Sequence, residues 1–240
     1  MYGGKAMFSF DSVVRYSETD HKKQLTPSTI INYFQDCSNF HSEAVHAGMD
    51  FLNQTNRAWL MCSWQLIITR YPKVNEKITI STWPYEFISM YGYRNFMMQD
   101  EQKNTIAYAN SIWALIDTKT QHPTKIQEED KKAYTIEPPY PMEYANRKLL
   151  IPSTFTKVEP FSVQVSSLDM FEHVNNGEYI RFAHDLLPND FTVREVCAEY
   201  KRPALLGDMI YPLLHIEQDK TTILLANKEE KPYAIVQFYK

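Results

Sequence analysis

Val14-Arg15-Tyr16-Ser17-Glu18-Thr19-Asp20 and Val163-Gln164-Val165-Ser166-Ser167-Leu168-Asp169 occupy the same place in two successive runs of one pattern. Each stretch closes an apolar, strand-like segment and leads into a helix signal. The turn Asn75-Glu76-Lys77-Ile78 lies over Gly207-Asp208-Met209-Ile210 in the same way. Each match alone is weak, but their shared order predicts a duplicated unit.

Working outward, the first run opens with a strand over Phe8 to Tyr16. Thr26-Pro27-Ser28 then reads as a helix cap with proline in the first turn. Ile30, Ile31, Phe34, Cys37, Ser38 and His41 recur at spacings of three and four, and Gly48 is expected to stop that helix or a short successor. Strands are predicted over Ala58 to Arg70, Lys77 to Trp83, Tyr91 to Gln99 and Ile106 to Asp117. A proline-rich crossing follows, with a short helix near Gln127 to Tyr134. The second run gives a strand over Phe161 to Val165, a polar loop over Asp169 to Asn176 and a helix over Glu178 to Leu187. Its strands are Phe191 to Tyr200, Met209 to Gln218, Thr221 to Lys228 and Tyr233 to Tyr239. The expected fold is α+β, two units each with a long helix wrapped by a curved antiparallel sheet, the sheets joined edge to edge so that two strand edges disappear. Residues 1–135 form the first unit, 136–160 a linker and 161–240 the second.

Composition narrows the function. Of 240 residues, 44% are hydrophobic and 22% charged, which excludes disorder as the main state. With only 6 glycines and neither GxxxxGK nor GxGxxG, phosphate-cradling loops are disfavoured and no cofactor is expected. A net charge of -4 with no long basic run argues against nucleic acid. Three scattered cysteines predict thiols in a reducing compartment, and no apolar span suits a membrane crossing, so the cytoplasm is expected. Met1 to Met7 reads as a frayed leader.

The densest polar cluster is Asp169-Met170-Phe171-Glu172-His173-Val174-Asn175-Asn176. Between a strand and a helix, His173 is suited to act as a base or orient a water, and an Asn side chain or the helix start to donate to an oxyanion. The same composition also fits a loop of cap and turn formers. Cys37 and His41 share a helix face, yet Cys37 lies on its apolar side and reads as a core thiol; Cys62 and Cys197 read likewise. The seven histidines show no metal-ligand spacing. Trp59, Trp64 and Tyr93 belong to an aromatic and Met-rich set that suits either a core or an apolar slot.

Taken over nearly its whole length, the chain resembles the bacterial acyl-acyl-carrier-protein thioesterases, the family that includes the plant plastid enzymes. The marks are Arg15 through Asp20, Ile31-Asn32-Tyr33-Phe34-Gln35-Asp36, Tyr93-Arg94-Asn95-Phe96, Ser111-Ile112-Trp113, Asp169 through His173, Val174-Asn175-Asn176 and Tyr179. The resemblance implies a tandem pair of hotdog units and hydrolysis of the thioester joining a fatty acyl group to acyl carrier protein. It also implies a catalytic loop in the second unit and much of the acyl-chain pocket in the first. Asp169 and His173 match the family loop, while Phe171 stands where the family has Asn. Pro203-Ala204 follows Tyr200-Lys201-Arg202 where the family has a glutamate. The expected catalytic set is therefore His173, Asp169, Asn175 and Glu172, with Phe171, Trp59, Trp64 and Tyr93 on the substrate. A thioesterase for coenzyme A substrates, and an acyl or carrier-protein binding module without turnover, are the alternatives. The acidic carrier would meet Arg147, Lys148, Lys157, Lys201 and Arg202, and the chain is expected as a monomer or homodimer.

Overall fold

A computed structural model of the chain describes residues 7–188 and 190–240. All of the expected leader except Met7 falls outside the described residues. The chain divides into two compact units: residues up to Cys62 with Ile68–Tyr144, and Ser63–Ile67 with Ala145–Lys240.

In the first unit, β1 (Phe8–Val13) leads through a 3-10 turn at Tyr16–Glu18 to α1 (Pro27–Ala44) and α2 (Met49–Thr55). Then come β2 (Arg57–Ile68), β3 (Lys77–Ile88), β4 (Tyr91–Asp100), β5 (Thr105–Asp117), the short β6 (His122–Pro123) and α3 (Glu128–Lys131). Strands β1, β3, β4 and β5 pair antiparallel in that order. The Thr26 hydroxyl accepts the Thr29 amide and caps α1, an interaction worth about 1 kcal/mol. Ile30, Ile31, Phe34 and Cys37 of α1 are fully buried, as their spacing requires.

The second unit contains β7 (Thr156–Lys157), β8 (Phe161–Ser162), a 3-10 turn at Val165–Ser167 and α4 (Asn176–His184). Strands β9 (Glu195–Tyr200), β10 (Met209–Ile216), β11 (Lys220–Ala226) and β12 (Pro232–Tyr239) complete it. Its antiparallel order is Ser63–Ile67 of β2, then β9, β12, β11, β10 and β7. Among the described residues no helix is long and apolar enough to cross a membrane.

Several expected boundaries move. Gly48 does not end a helix; α1 stops at Ala44 and Gly48 begins α2. The Glu43 carboxylate caps the Met49 amide at 2.8 Å and occupies the space that any side chain at Gly48 would fill. Strand β3 runs past Trp83 to Ile88, with Pro84 beside a register shift in its pairing with β4; among the described residues β1 pairs with β3 as far as Thr82. Only Phe161–Ser162 of the expected Phe161 to Val165 is strand, because the chain turns at Val165. Strand β9 starts at Glu195 rather than Phe191, and α4 has 9 residues against 18 in α1.

The crossing segment has little secondary structure, so its buried amides need other partners. In the first unit, Asn95 Oδ1 accepts from the Tyr140 amide and the Tyr144 hydroxyl. In the second, Gln65 Oε1 accepts the Ala145 amide and Glu199 Oε2 the Leu149 amide, while Gln237 Nε2 donates to the Leu150 carbonyl. These buried polar side chains are anchors for the crossing.

Candidate active site

The duplicated stretches fold into the same turn. In the second unit Asp169 Oδ1 accepts the amides of Phe171 (2.8 Å) and His173 (3.2 Å). In the first, Asp20 Oδ1 accepts those of Lys22 (2.8 Å) and Gln24 (3.0 Å). The Asp169 amide reaches the His173 carbonyl as the Asp20 amide reaches that of Gln24. Glu172 and Lys23 take the same left-handed backbone, at φ 62 and 60. The hairpin at Gly207 repeats that at Asn75, and bridges pair His173 with Leu205 as Gln24 with Lys73. Asn175 then caps α4 through Oδ1 on the Gly177 amide (2.8 Å), where the first unit uses Thr26.

This geometry defines what each side chain is free to do. The Asp169 carboxylate is engaged by backbone amides, so it shapes the loop. The His173 ring is half-buried and has no hydrogen-bond partner among the described residues. Asn175 Nδ2 likewise has none, because the cap uses only its oxygen. Glu172 is exposed at the tip of the turn. Beside the loop, the Tyr179 hydroxyl accepts the Ala204 amide at 2.8 Å, and burial raises the phenol far above its ordinary pKa, so it stays protonated. Pro203-Ala204 thus adds backbone and no acid next to His173.

The twin turns differ sharply in surface chemistry. Unit 1 carries Tyr16, His21, Lys22, Lys73, Val74 and Lys77 where unit 2 carries Val165, Met170, Phe171, Leu205, Leu206 and Met209. The second set is exposed, with Met170 at 76% and Phe171 at 56%. Exposed apolar groups gathered on one loop cluster mark a surface that meets a partner or substrate. The corresponding loop of the first unit is mostly exposed too, but carries Lys22, Lys73 and Lys77.

The structure brings Asp169, Phe171, Glu172, His173 and Asn175 together in one turn. Trp64 is 1% exposed in the second unit's sheet. Trp59 packs on Phe87 at 6.2 Å and Tyr93 on Tyr85 at 5.8 Å, both in the first unit. An open cleft of about 340 Å³ lies in the first unit between Met7, Trp83, Glu137 and Pro138, apart from these residues. Cys37 is a core thiol, bonded to the Ile80 carbonyl and pushed up to about 12 by burial. Of the basic residues, Lys157 pairs with Glu230 and Lys201 with Glu199, while Arg202 lies over the Tyr233 ring and donates to the Lys231 carbonyl. Arg94, a mark of the resemblance for which no role was expected, is buried in β4 against His41. The phase of Phe96 and Met98 on that strand was its signal, since it puts Arg94 on the core face.

Comparison with known proteins bears on both units. Residues 5–134 match the family model described as acyl-ACP thioesterase N-terminal domain, and residues 152–233 match the acyl-ACP thioesterase C-terminal domain. A chloroplastic oleoyl-acyl carrier protein thioesterase of Coriandrum sativum is 23% identical, covering 88% of this chain and 63% of its own length. A chloroplastic acyl-[acyl-carrier-protein] hydrolase of Cuphea viscosissima is 26% identical, over 79% of this chain and 50% of its own length. The chain thus spans about half to two-thirds of these curated relatives. Among solved structures, an acyl-ACP thioesterase from Bacteroides thetaiotaomicron superposes with a TM-score of 0.90 at 21% identity, covering 98% of this chain and 97% of its own. The 12:0-ACP thioesterase from Umbellularia californica gives 0.86 at 16% identity, with 98% and 97% covered. These likenesses establish the α+β fold of two hotdog units.

Proposed function

The chain belongs to the acyl-ACP thioesterase family, and we propose that it hydrolyses the thioester of a fatty acyl group carried on acyl carrier protein, releasing the free acid. The observation that carries this reading within the molecule is the contrast between the twin turns. Only the second places an imidazole, His173, behind the Asp turn, and only the second surrounds it with apolar side chains.

In the proposed reaction the His173 ring takes a proton from water as its oxygen attacks the thioester carbonyl. Asn175 Nδ2 donates to the oxyanion that forms, assisted by the positive end of α4. Collapse of the tetrahedral species breaks the carbon–sulfur bond, and the imidazolium returns its proton to the departing thiolate. Asp169 holds the loop. Glu172, next to His173 in the chain and open to solvent, is the carboxylate offered for proton exchange with bulk water. Phe171 contacts the substrate at the rim, and Trp59, Trp64 and Tyr93 are assigned to the acyl chain. Water is the only co-reactant required. Free cysteines at 37, 62 and 197 agree with work in the cytoplasm. The chain acts as a monomer or homodimer.

A second reading rests on Phe171 and Pro203-Ala204, which stand where the family places Asn and Glu: acyl-carrier binding without turnover. One experiment separates the two. The purified chain receives acyl carrier protein loaded with acyl groups of graded length, and coenzyme A thioesters of matched length, and free thiol is followed. Release from the carrier substrates supports hydrolysis, retention of acyl carrier without release supports binding alone, and faster release from coenzyme A moves the substrate class.

A further inference from the structure

The two units fill one interior position with different chemistry. Beside the second turn, Tyr179 of α4 is 2% exposed and its hydroxyl accepts the Ala204 amide at 2.8 Å. Its ring meets that of Tyr200 edge-on at 5.8 Å, and the Tyr200 hydroxyl donates to the Asn176 carbonyl at 2.9 Å. Under the offsets that bring the twin turns and hairpins into register, the first unit has Ile30 for Tyr179, Ile68 for Tyr200 and Pro72 for Ala204. All three of these first-unit residues are buried. Isoleucine has no side-chain hydrogen bond to offer, and proline has no amide to satisfy.

The backbone contact between turn and hairpin is the same in both units. The Val174 amide donates to the Ala204 carbonyl at 3.0 Å, as the Leu25 amide donates to that of Pro72 at 2.9 Å. The first unit therefore shows that this turn and hairpin hold together with apolar side chains at these positions. The two hydroxyls of the second unit are an addition to that fold, and they occur in the unit that carries His173. Each fastens backbone next to a group of the proposed reaction. Ala204 precedes Leu205, which bridges His173. Asn176 follows Asn175, whose side chain caps α4. Reacting groups need support of this kind, because productive geometry tolerates displacements of only about 0.5 Å.

We propose that Tyr179 and Tyr200 are positioning residues: through the Ala204 amide and the Asn176 carbonyl they set the spacing between the His173 ring and the Asn175 side-chain amide that the proposed hydrolysis uses. The inference rests on that reading for its effect on rate, and on the second unit's own hydrogen bonds for its geometry. Neither hydroxyl is required to touch the substrate. Loss of either leaves the turn folded and releases His173 and Asn175 from their shared alignment. That slows the chemical step and leaves capture of the carrier alone.

The test compares the wild-type chain with Tyr200→Phe, with Tyr179→Phe, and with Tyr179→Phe combined with Ala204→Pro. The combined variant has, like the first unit, an apolar residue and a proline at these positions, so no amide is left unsatisfied. Thiol release from acyl carrier protein is followed at initial rates, together with the unfolding midpoint and the His173 ring signals in NMR. Each tyrosine variant should lower kcat about tenfold or more, with KM little changed and the His173 ring signals moved. The combined variant should recover stability without recovering kcat. Wild-type kcat in any folded variant, or a kcat that recovers with the midpoint, overturns the inference. If the combined variant does not fold, Tyr200→Phe decides, because the Asn176 carbonyl keeps its place as a helix acceptor. If the wild-type chain releases no thiol, the thioesterase reading fails by itself. The His173 ring signals then decide, and signals unmoved by the tyrosine variants overturn the positioning.

Discussion

Asp169 accepts the backbone amide of His173 at 3.2 Å, and this bond repeats, in the second unit, the one Asp20 makes to Gln24 at 3.0 Å. The carboxylate therefore acts on the backbone that carries the imidazole. Removing it at either site loses charge-assisted hydrogen bonds worth roughly 1.5–3 kcal/mol each at most, and less where the group is partly solvated. Asp20→Ala and Asp169→Ala should lower the unfolding midpoint to similar extents, while only Asp169→Ala slows thiol release. Equal loss of activity in both would mean that the effect is one of stability alone.

The apolar rim makes a prediction about substrate capture. Met170→His with Phe171→Lys gives the second turn the residues of the first. Both positions are exposed, so stability should change by no more than about 0.5 kcal/mol. KM for acyl carrier protein should rise with kcat little changed, read from initial rates over a range of carrier concentrations. An unchanged KM would remove the rim from recognition.

Burial of neutral His41 links stability to pH. Its pKa is lowered to about 3 in the folded chain against an ordinary 6.5. Below pH 6.5 the unfolded chain binds a proton that the folded chain does not, so stability falls as pH drops from 6.5 toward 3. His41→Leu should flatten that part of the profile by a few kcal/mol, measured as the variant-minus-wild-type difference in denaturant unfolding between pH 7 and 4. Parallel profiles would show that the ring gains its proton in the folded chain too.

Gly92 is required by close packing. A Cβ there would sit 3.1 Å from the Phe87 ring and 3.2 Å from Trp59. Gly92→Ala should cost about 1–3 kcal/mol through displacement of those rings, and an unfolding midpoint at or above that of the parent would contradict the packing.

Much of this was legible in the sequence. The repeat could be aligned residue by residue because the Asp turn, the left-handed position and the hairpin each constrain local residue choice. The Thr26 cap and the spacing of Ile30, Ile31, Phe34 and Cys37 set α1 for the same reason. What could not be read depends on long-range pairing. Pro84 follows the expected end of β3 at Trp83, and only the register shift against β4 shows how the strand carries on through it. Nothing near Glu199 in the sequence marks its task, because the Leu149 amide it holds comes from a distant segment. At the candidate site the residue types were legible. The division of labour was not: the amides held by Asp169 and the split duty of Asn175 are facts of three-dimensional geometry.

The central claim, that the imidazole behind the Asp169 turn performs thioester hydrolysis, is tested most directly by His173→Gln. The first unit already uses glutamine at the equivalent position, in the same turn, so the fold should persist. Single-turnover release of thiol from acyl carrier protein should then fall by about 10²-fold or more, as expected for loss of a general base, at an unchanged unfolding midpoint. Release at the wild-type rate by folded His173→Gln protein would contradict the account.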